Sequence, residues 1–273
     1  MKAFVSTTLL LIGMLVGSVA TIAAIRASRS PGNLFYDLRA KISTPAQDRS
    51  ELNWLARQYG PEHQSTASEE WIVRDFFRDR REGVFVNVGA ADPKRNSNTW
   101  YLETQLGWSG VAIDAQADYG AGYAQNRPQT KFFSVFVSDR AQGNTRLFLS
   151  EARGASSSNR EFTELHGAVT GSIEVPTTTL NELLDAAGIS AFDFLSLDIE
   201  LAEPKALAGF DIARFKPALA GVEAHPQVRQ ELLDYFAGNG YVVVGKYLRV
   251  DPQNLWFAPL GTRVDKFPFH DEH

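Results

Sequence analysis

The chain of 273 residues is 44% hydrophobic and 22% charged, ordinary proportions for a protein with a full core, and its length suits one large or two small domains. A net charge of −5, a pI of about 5.6 and no basic stripe along the sequence exclude the usual electrostatic footprint of a nucleic-acid binder. The absence of cysteine excludes disulfides, thiolate zinc sites and cysteine nucleophiles, and leaves the compartment open.

In chain order, the first informative segment is Ala3 to Ile25, which carries no charge over 23 residues. A membrane-spanning helix needs roughly 20 apolar residues and a signal-peptide core about 7–15, so length favours an uncleaved transmembrane anchor over residues 1–26. The competing reading is a cleaved signal, for which Ser18-Val19-Ala20 and Ala23-Ala24 offer small residues. Lys2 flanks one side of the segment, and Arg26, Arg29, Arg39 and Lys41 the other. The positive-inside tendency then places the rest of the chain in the cytoplasm.

Residues 27–68 read as a linker with a short helix, Asp48 to Gly60. Asp48 and Glu51 form a capping box there, and Leu52, Leu55 and Tyr59 recur at helical spacing. A second helix is expected over Glu69 to Arg80, with Trp71, Ile72, Phe76 and Phe77 as a packing face. From there to residue 263 the chain reads as one domain, and residues 264–273 as a tail, frayed from Lys266 onward.

That domain is organised around Val84 to Asp92, a buried strand ending in a glycine turn. A crossover helix, Asn96 to Leu106, is closed by Gly107, and a second strand, Gly110 to Ile113, ends in Asp114. A short helix through Gln116 to Gln125 leads to a third strand, Lys131 to Val137, followed by Ser138-Asp139; Arg146 to Leu149 reads as an edge strand. Ala152 to Ser172, rich in Gly, Ser and Thr, reads as a mobile surface segment, either a substrate lid or a plain insertion. After Val175 to Thr178, a Thr179/Glu182 capping box opens a helix that Gly188 ends. Strands at Phe192 to Leu197 and Ala218 to Val222 end in Asp198 and Glu223; Pro204 suits the first turn of the helix between them. A helix from Pro226 to Ala237 and an antiparallel pair, Tyr241 to Val250 with Asn254 to Leu260, complete the domain.

Alternating strands and helices predict an α/β fold with a doubly wound, mostly parallel sheet. Ligands of such sheets bind at the carboxyl ends of the strands, which puts Gly89, Asp114, Ser138-Asp139, Asp198 and Glu223 along one rim. An acid ending the second strand is the usual partner of ribose hydroxyls. The turn at Gly89 is neither a GxGxxG loop nor a phosphate-binding loop, which weighs against a dinucleotide and a nicotinamide-dependent oxidoreductase. A cofactor with a ribose and no phosphate fits better, and S-adenosylmethionine is one.

At this point the sequence resembles the FkbM family of S-adenosylmethionine-dependent methyltransferases. Val84 to Thr99, with Val88-Gly89-Ala90 and Ser97-Asn98-Thr99, is similar to the family's first motif. Leu106 to Val111 leading to Asp114 is similar too, as are Val175 to Leu180 and Phe194 to Glu200, all in family order over roughly residues 69 to 260. The resemblance implies a Rossmann-like methyltransferase in which Gly89 and Asp114 hold the cofactor. It places Ser138 and Asp139 near the adenine, and Asp198 and Glu200 facing methyl transfer. Asn87 stands where the family usually carries an acid, so it can hydrogen-bond the cofactor but not neutralise an ammonium. Leu201 stands where the family's Asp-Ile-Glu-Gly has glycine.

Methyl transfer to a hydroxyl needs the oxygen held in line and its proton accepted; Asp198, Glu200, Glu223 and His225 are the candidates. Each carboxylate has the plainer alternative of capping the next helix, the role expected of Glu203. Acids on one rim suit Mg²⁺, but no ligand spacing assigns a metal, and His63, His166, His270 and His273 show no paired spacing. No nucleophile elbow points to hydrolysis. The expected function is a membrane-anchored O-methyltransferase acting on a hydroxyl of a sugar, lipid or secondary metabolite, a glycolipid or saccharide precursor if the anchor sets the acceptor. The alternative is an inactive membrane-tethered binding module on the same fold.

Overall fold

The structure, a computed structural model, describes residues 45–141, 143–152 and 154–269. The uncharged segment 3–25, His270 and His273 lie outside the described residues. Among the described residues no helix is long and apolar enough to cross a membrane.

The domain opens with helix α1 (Pro45–Tyr59) and helix α2 (Glu69–Phe77). Helix α1 begins before Asp48, so that residue lies inside the helix and not at its cap. Leu55 is fully buried and packs with Trp71, Ile72, Phe85 and Trp108, which makes α1 part of the main core although the sequence read it as a linker element. Then come strand β1 (Val84–Val88), α3 (Trp100–Leu106) and β2 (Ser109–Asp114). Helix α3 starts later than its periodicity suggests because Asn96 sits at φ 57°, a left-handed backbone that a helix does not continue through. A 3₁₀ turn (Ala117–Tyr119) runs into α4 (Gly120–Asn126), followed by β3 (Thr130–Ser134).

The chain then leaves the sheet. Strand β4 (Phe136–Val137), β5 (Gly143–Ser150) and β6 (Val169–Thr178) make a separate three-stranded sheet in the order β4-β6-β5, with helix α5 (Arg160–His166) between β5 and β6. Phe136, Leu147, Val175 and Ala202 form its own small core. The segment Ala152 to Ser172 carries helix α5 and the start of β6 within it, and the expected third strand is two strands in two sheets.

Helix α6 (Leu180–Ala187) is capped as its sequence indicates: Thr179 Oγ1 accepts from the Glu182 amide at 3.2 Å, and Gly188 closes it at φ 76°. Next are β7 (Phe194–Leu197), α7 (Glu203–Ala208), α8 (Ile212–Phe215), β8 (Leu219–Glu223), α9 (Arg229–Gly238), β9 (Tyr241–Val243) and β10 (Asn254–Pro259). The segment expected to fray stays packed at Phe267, which is buried against Trp54 at a ring distance of 5.4 Å.

The main sheet has the order β3-β2-β1-β7-β8-β10-β9. Strands β3, β2, β1, β7 and β8 are parallel, and β10 runs antiparallel between β8 and β9. Strand order reverses between β1 and β7, so their carboxyl ends flank the switch-point crevice where doubly wound sheets take ligands.

Candidate functional site

Gly89 follows β1, and Asp198 follows β7. The Asp198 amide donates to the Val88 carbonyl at 3.0 Å, which brings the two strand ends into contact. Gly89 adopts φ 82°, and a Cβ there would lie 1.6 Å from the Asp198 carbonyl oxygen. The glycine is therefore required by the neighbouring strand end as much as by any ligand.

A cavity of about 810 Å³ opens here, lined by Gly89, Asp114, Asp198, Glu200 and Glu223 among others. It is a cofactor-sized space. Asp114 is held in place by its own backbone surroundings: Oδ2 accepts from the Ala91 amide and Oδ1 from the Gln116 amide, both at 2.9 Å. Each oxygen retains acceptor capacity, and the residue is only partly buried, so the carboxyl still addresses the cavity. Burial raises its pKa above the ordinary carboxylate value, against those two amides, which lower it.

At the β7 and β8 ends, four acids crowd together. Loss of bulk water raises the Asp198 carboxyl well above the carboxylate range, and Glu223 and Glu200 raise it further. Asp198 is walled in by protein yet open to the cavity, so cavity water offsets part of the first effect. Burial likewise raises Glu200, against His225, and lifts Glu203 to about 7. His225 answers them: its Nε2 lies 3.0 Å from Glu223 Oε1 and 3.5 Å from Glu200 Oε2, and these carboxylates raise its pKa to about 10. It does not line the cavity but braces two residues that do.

The turn carrying these acids is unusual. Glu200 and Leu201 sit at φ 56° and φ 76°, two consecutive left-handed residues without a glycine. The β5–β6 excursion supports them. Ser157 Oγ donates to the Glu200 carbonyl at 2.6 Å, and the Phe162 ring meets His225 at 5.0 Å. Gly154, Ala155 and Ser156 of the same excursion line the cavity.

Three expected cofactor residues are placed elsewhere. Asn87 is buried with its Nδ2 donating to Thr99 Oγ1 at 3.5 Å, and it is absent from the cavity wall. Alternation along β1 aims it at the start of α3 while Val88 reaches the cavity. Ser138 and Asp139 also lie off the wall. Strand β3 ends at Ser134, and by residue 138 the chain belongs to the second sheet: the Ser138 amide donates to Thr178 O at 2.9 Å, and Gly209 packs against its carbonyl. Val135, Phe136 and Val137 take the place on the wall expected of them.

Sequence reasoning passed over Glu203, read only as a cap. It is fully buried at the start of α7, its Oε1 accepts from the Ile199 amide at 2.9 Å, and its Oε2 has no hydrogen-bond partner. A residue one turn beyond the Asp-Ile-Glu motif was the available signal. Asp92 was also passed over; it lines the cavity and accepts from the Lys94 and Arg95 amides.

No curated protein matches the chain. Among solved structures, it is similar to a TehB-like SAM-dependent methyltransferase from Corynebacterium glutamicum, at 12% identity and a TM-score of 0.41 over 79% of this chain and 100% of that one. It is also similar to a putative RNA methyltransferase from Pyrococcus horikoshii, at 11% identity and a TM-score of 0.36 over 71% and 83%. At those scores neither likeness carries an argument about this chain. The model of the family described as "Methyltransferase FkbM domain" matches residues 87–243, more than half of the sequence, from the end of β1 through β9. The chain therefore belongs to the FkbM family of S-adenosylmethionine-dependent methyltransferases.

Proposed function

We propose that this protein transfers a methyl group from S-adenosylmethionine to a hydroxyl of a sugar, lipid or secondary metabolite. The observation that carries the reading is one open cavity with the Asp114 carboxyl and the Asp198–Glu200–Glu223 group on its wall. The residues present fit the cofactor. Asp114 has acceptor capacity for a ribose diol, and the bare Gly89 backbone leaves the crevice unblocked. The cofactor supplies an electrophilic methyl on a sulfonium.

The chain's own residues do the rest. The acids at the β7 and β8 ends hold the acceptor hydroxyl toward the cavity and take its proton as the oxygen–carbon bond forms. Glu200 is the proton acceptor in this reading: it lines the cavity, and burial raises its carboxyl above the ordinary carboxylate value, which makes it a stronger base. His225, protonated, keeps Glu200 and Glu223 oriented and offsets their charge.

The uncharged segment 3–25 acts in this reading as a membrane anchor with the domain on the cytoplasmic side, where the methyl donor is supplied, and suits a glycolipid or saccharide acceptor. Leu201 at φ 76° favours the rival, a binding module that has lost catalysis, because the family's glycine would relax that turn. Calorimetric titration of the folded protein with S-adenosylmethionine and S-adenosylhomocysteine tests the reading. Micromolar binding that Asp114→Ala removes is expected; no binding to a well-folded protein refutes it. Fractionation and protease protection in intact cells check the anchor and its orientation.

A further inference from the structure

The acids at the carboxyl ends of β7 and β8 are more numerous than one methyl transfer needs. Asp198, Glu203 and Glu223 each place a carboxylate oxygen within 4.8 Å of the others. Glu200 and His225 form a second trio with Glu223. His225 reaches two of these acids, its Nε2 lying 3.0 Å from Glu223 Oε1 and 3.5 Å from Glu200 Oε2.

An independent observation points to a missing ligand. Glu203 is 0% exposed, and its Oε2 has no hydrogen-bond partner. Glu223 Oε2 is likewise buried without a partner. A buried carboxylate oxygen left unpaired is costly, and both orphans belong to the same trio. Two oxygens on one hard divalent cation stand at most about 4–5 Å apart, given ligand distances of roughly 2.0–2.6 Å. The spacing in the trio falls within that limit.

We propose that Asp198, Glu203 and Glu223 bind one divalent cation of the Mg²⁺, Mn²⁺ or Ca²⁺ class through carboxylate oxygens. The all-oxygen donor set selects hard cations over zinc or copper. Asp198 and Glu223 both line the cavity, so the ion's remaining coordination positions face the space where an acceptor oxygen is placed. A bound cation there would favour the ionised form of that oxygen, leaving Glu200 to take the proton. The site itself does not depend on the methyltransferase reading.

The test uses the purified full-length chain, stripped with EDTA and titrated with Mn²⁺ while free ion is followed by electron paramagnetic resonance. One Mn²⁺ per chain, displaced by Mg²⁺ or Ca²⁺, is expected. Glu203→Gln and Glu223→Gln are expected to weaken binding by at least about tenfold, a ligand's loss costing no less than an outer-shell change. Glu182→Gln, at an exposed position of α6, is the control and keeps it. Should either variant fail to fold by circular dichroism, Asp198→Asn takes its place. A flat Mn²⁺ titration of folded wild type, or binding indifferent to the variants, overturns the proposal and means that shared protons hold these acids together. Titrating the same metal-free protein with S-adenosylhomocysteine separates the outcomes: binding of nucleoside without Mn²⁺ sinks the metal site alone, and binding of Mn²⁺ without nucleoside sinks the cofactor reading alone.

Discussion

Two buried charged clusters in this domain are built on opposite terms. Beneath α3, the Arg127 guanidinium is fully buried and every part of it is used. Nε donates to Glu103 Oε2 at 2.5 Å, Nη1 to Pro93 O at 2.8 Å, and Nη2 to Thr99 O at 3.1 Å. Glu103 in turn accepts from the Gln129 amide at 2.8 Å and from Thr130 Oγ1 at 2.5 Å. At the cavity, His225 meets Glu200 and Glu223, while Glu203 Oε2 and Glu223 Oε2 have no hydrogen-bond partner. The first cluster ties the loop after β1 to α4 and β3 and leaves nothing to react. The second holds charge poised above what its surroundings satisfy, as binding and catalytic sites do. Burial alone does not separate structural from functional charge; the count of partners does.

The contrast can be broken most sharply at Arg127. Arg127→Ala strands the Glu103 carboxylate and is expected to cost about 3–5 kcal/mol in denaturant unfolding. An apolar pair at both positions should cost much less. A mild effect of the single change would show that this cluster, too, is under-satisfied.

Asp114 sharpens the other side. Asp114→Asn removes the charge facing the cavity and leaves one of the Ala91 and Gln116 amides without its acceptor. Loss of charge-assisted bonds to a ribose is worth about 1.5–3 kcal/mol, so S-adenosylhomocysteine affinity should fall roughly ten- to hundredfold by calorimetry, with a loss of about 1–3 kcal/mol in unfolding from the stranded amide.

A smaller effect is expected from pH in cation-free buffer. Glu203 is raised from 4.5 to about 7 in the fold. Between those values the unfolded chain is ionised at this residue and the native one is not, so native stability falls as pH rises from 4.5 to 7 and then levels. Glu203→Gln should flatten that part of the stability profile and raise stability at pH 7. An unchanged slope would show that Glu203 is satisfied after all.

The smallest effect concerns backbone strain beside the same acids. Leu201 at φ 76° should be relieved by Leu201→Gly, with a gain of about 0.5–1 kcal/mol after glycine's larger entropy loss. Chemical denaturation measures it, and a methyltransferase assay shows whether the relaxed turn also raises turnover.

Much of the fold was legible because its signals are local. The Thr179/Glu182 box and Gly188 bounded α6 correctly, and strands ending in Asp114, Asp198 and Glu223 announced the rim. The misreadings share a cause. Lys131 to Val137 is one apolar run, and nothing local marks Val135 as the residue where the chain changes sheets. Ser138 and Asp139 follow β4 and are absent from the cavity wall, and Asn87 is turned by strand alternation toward Thr99. Glu203 accepts at the helix start through Oε1, and its second oxygen has no partner.

By itself the sequence determined the strand–helix alternation, the family motifs and which acids end the strands, because periodicity, caps and turn residues act between neighbours along the chain. Only the tertiary structure decided that Gly89 must be bare because Asp198 lies against it, that the β5–β6 excursion braces Glu200, and that Glu203 joins Asp198 and Glu223 around unpaired oxygens. Those facts depend on distances between segments far apart in the chain, which close packing sets and local pattern does not encode.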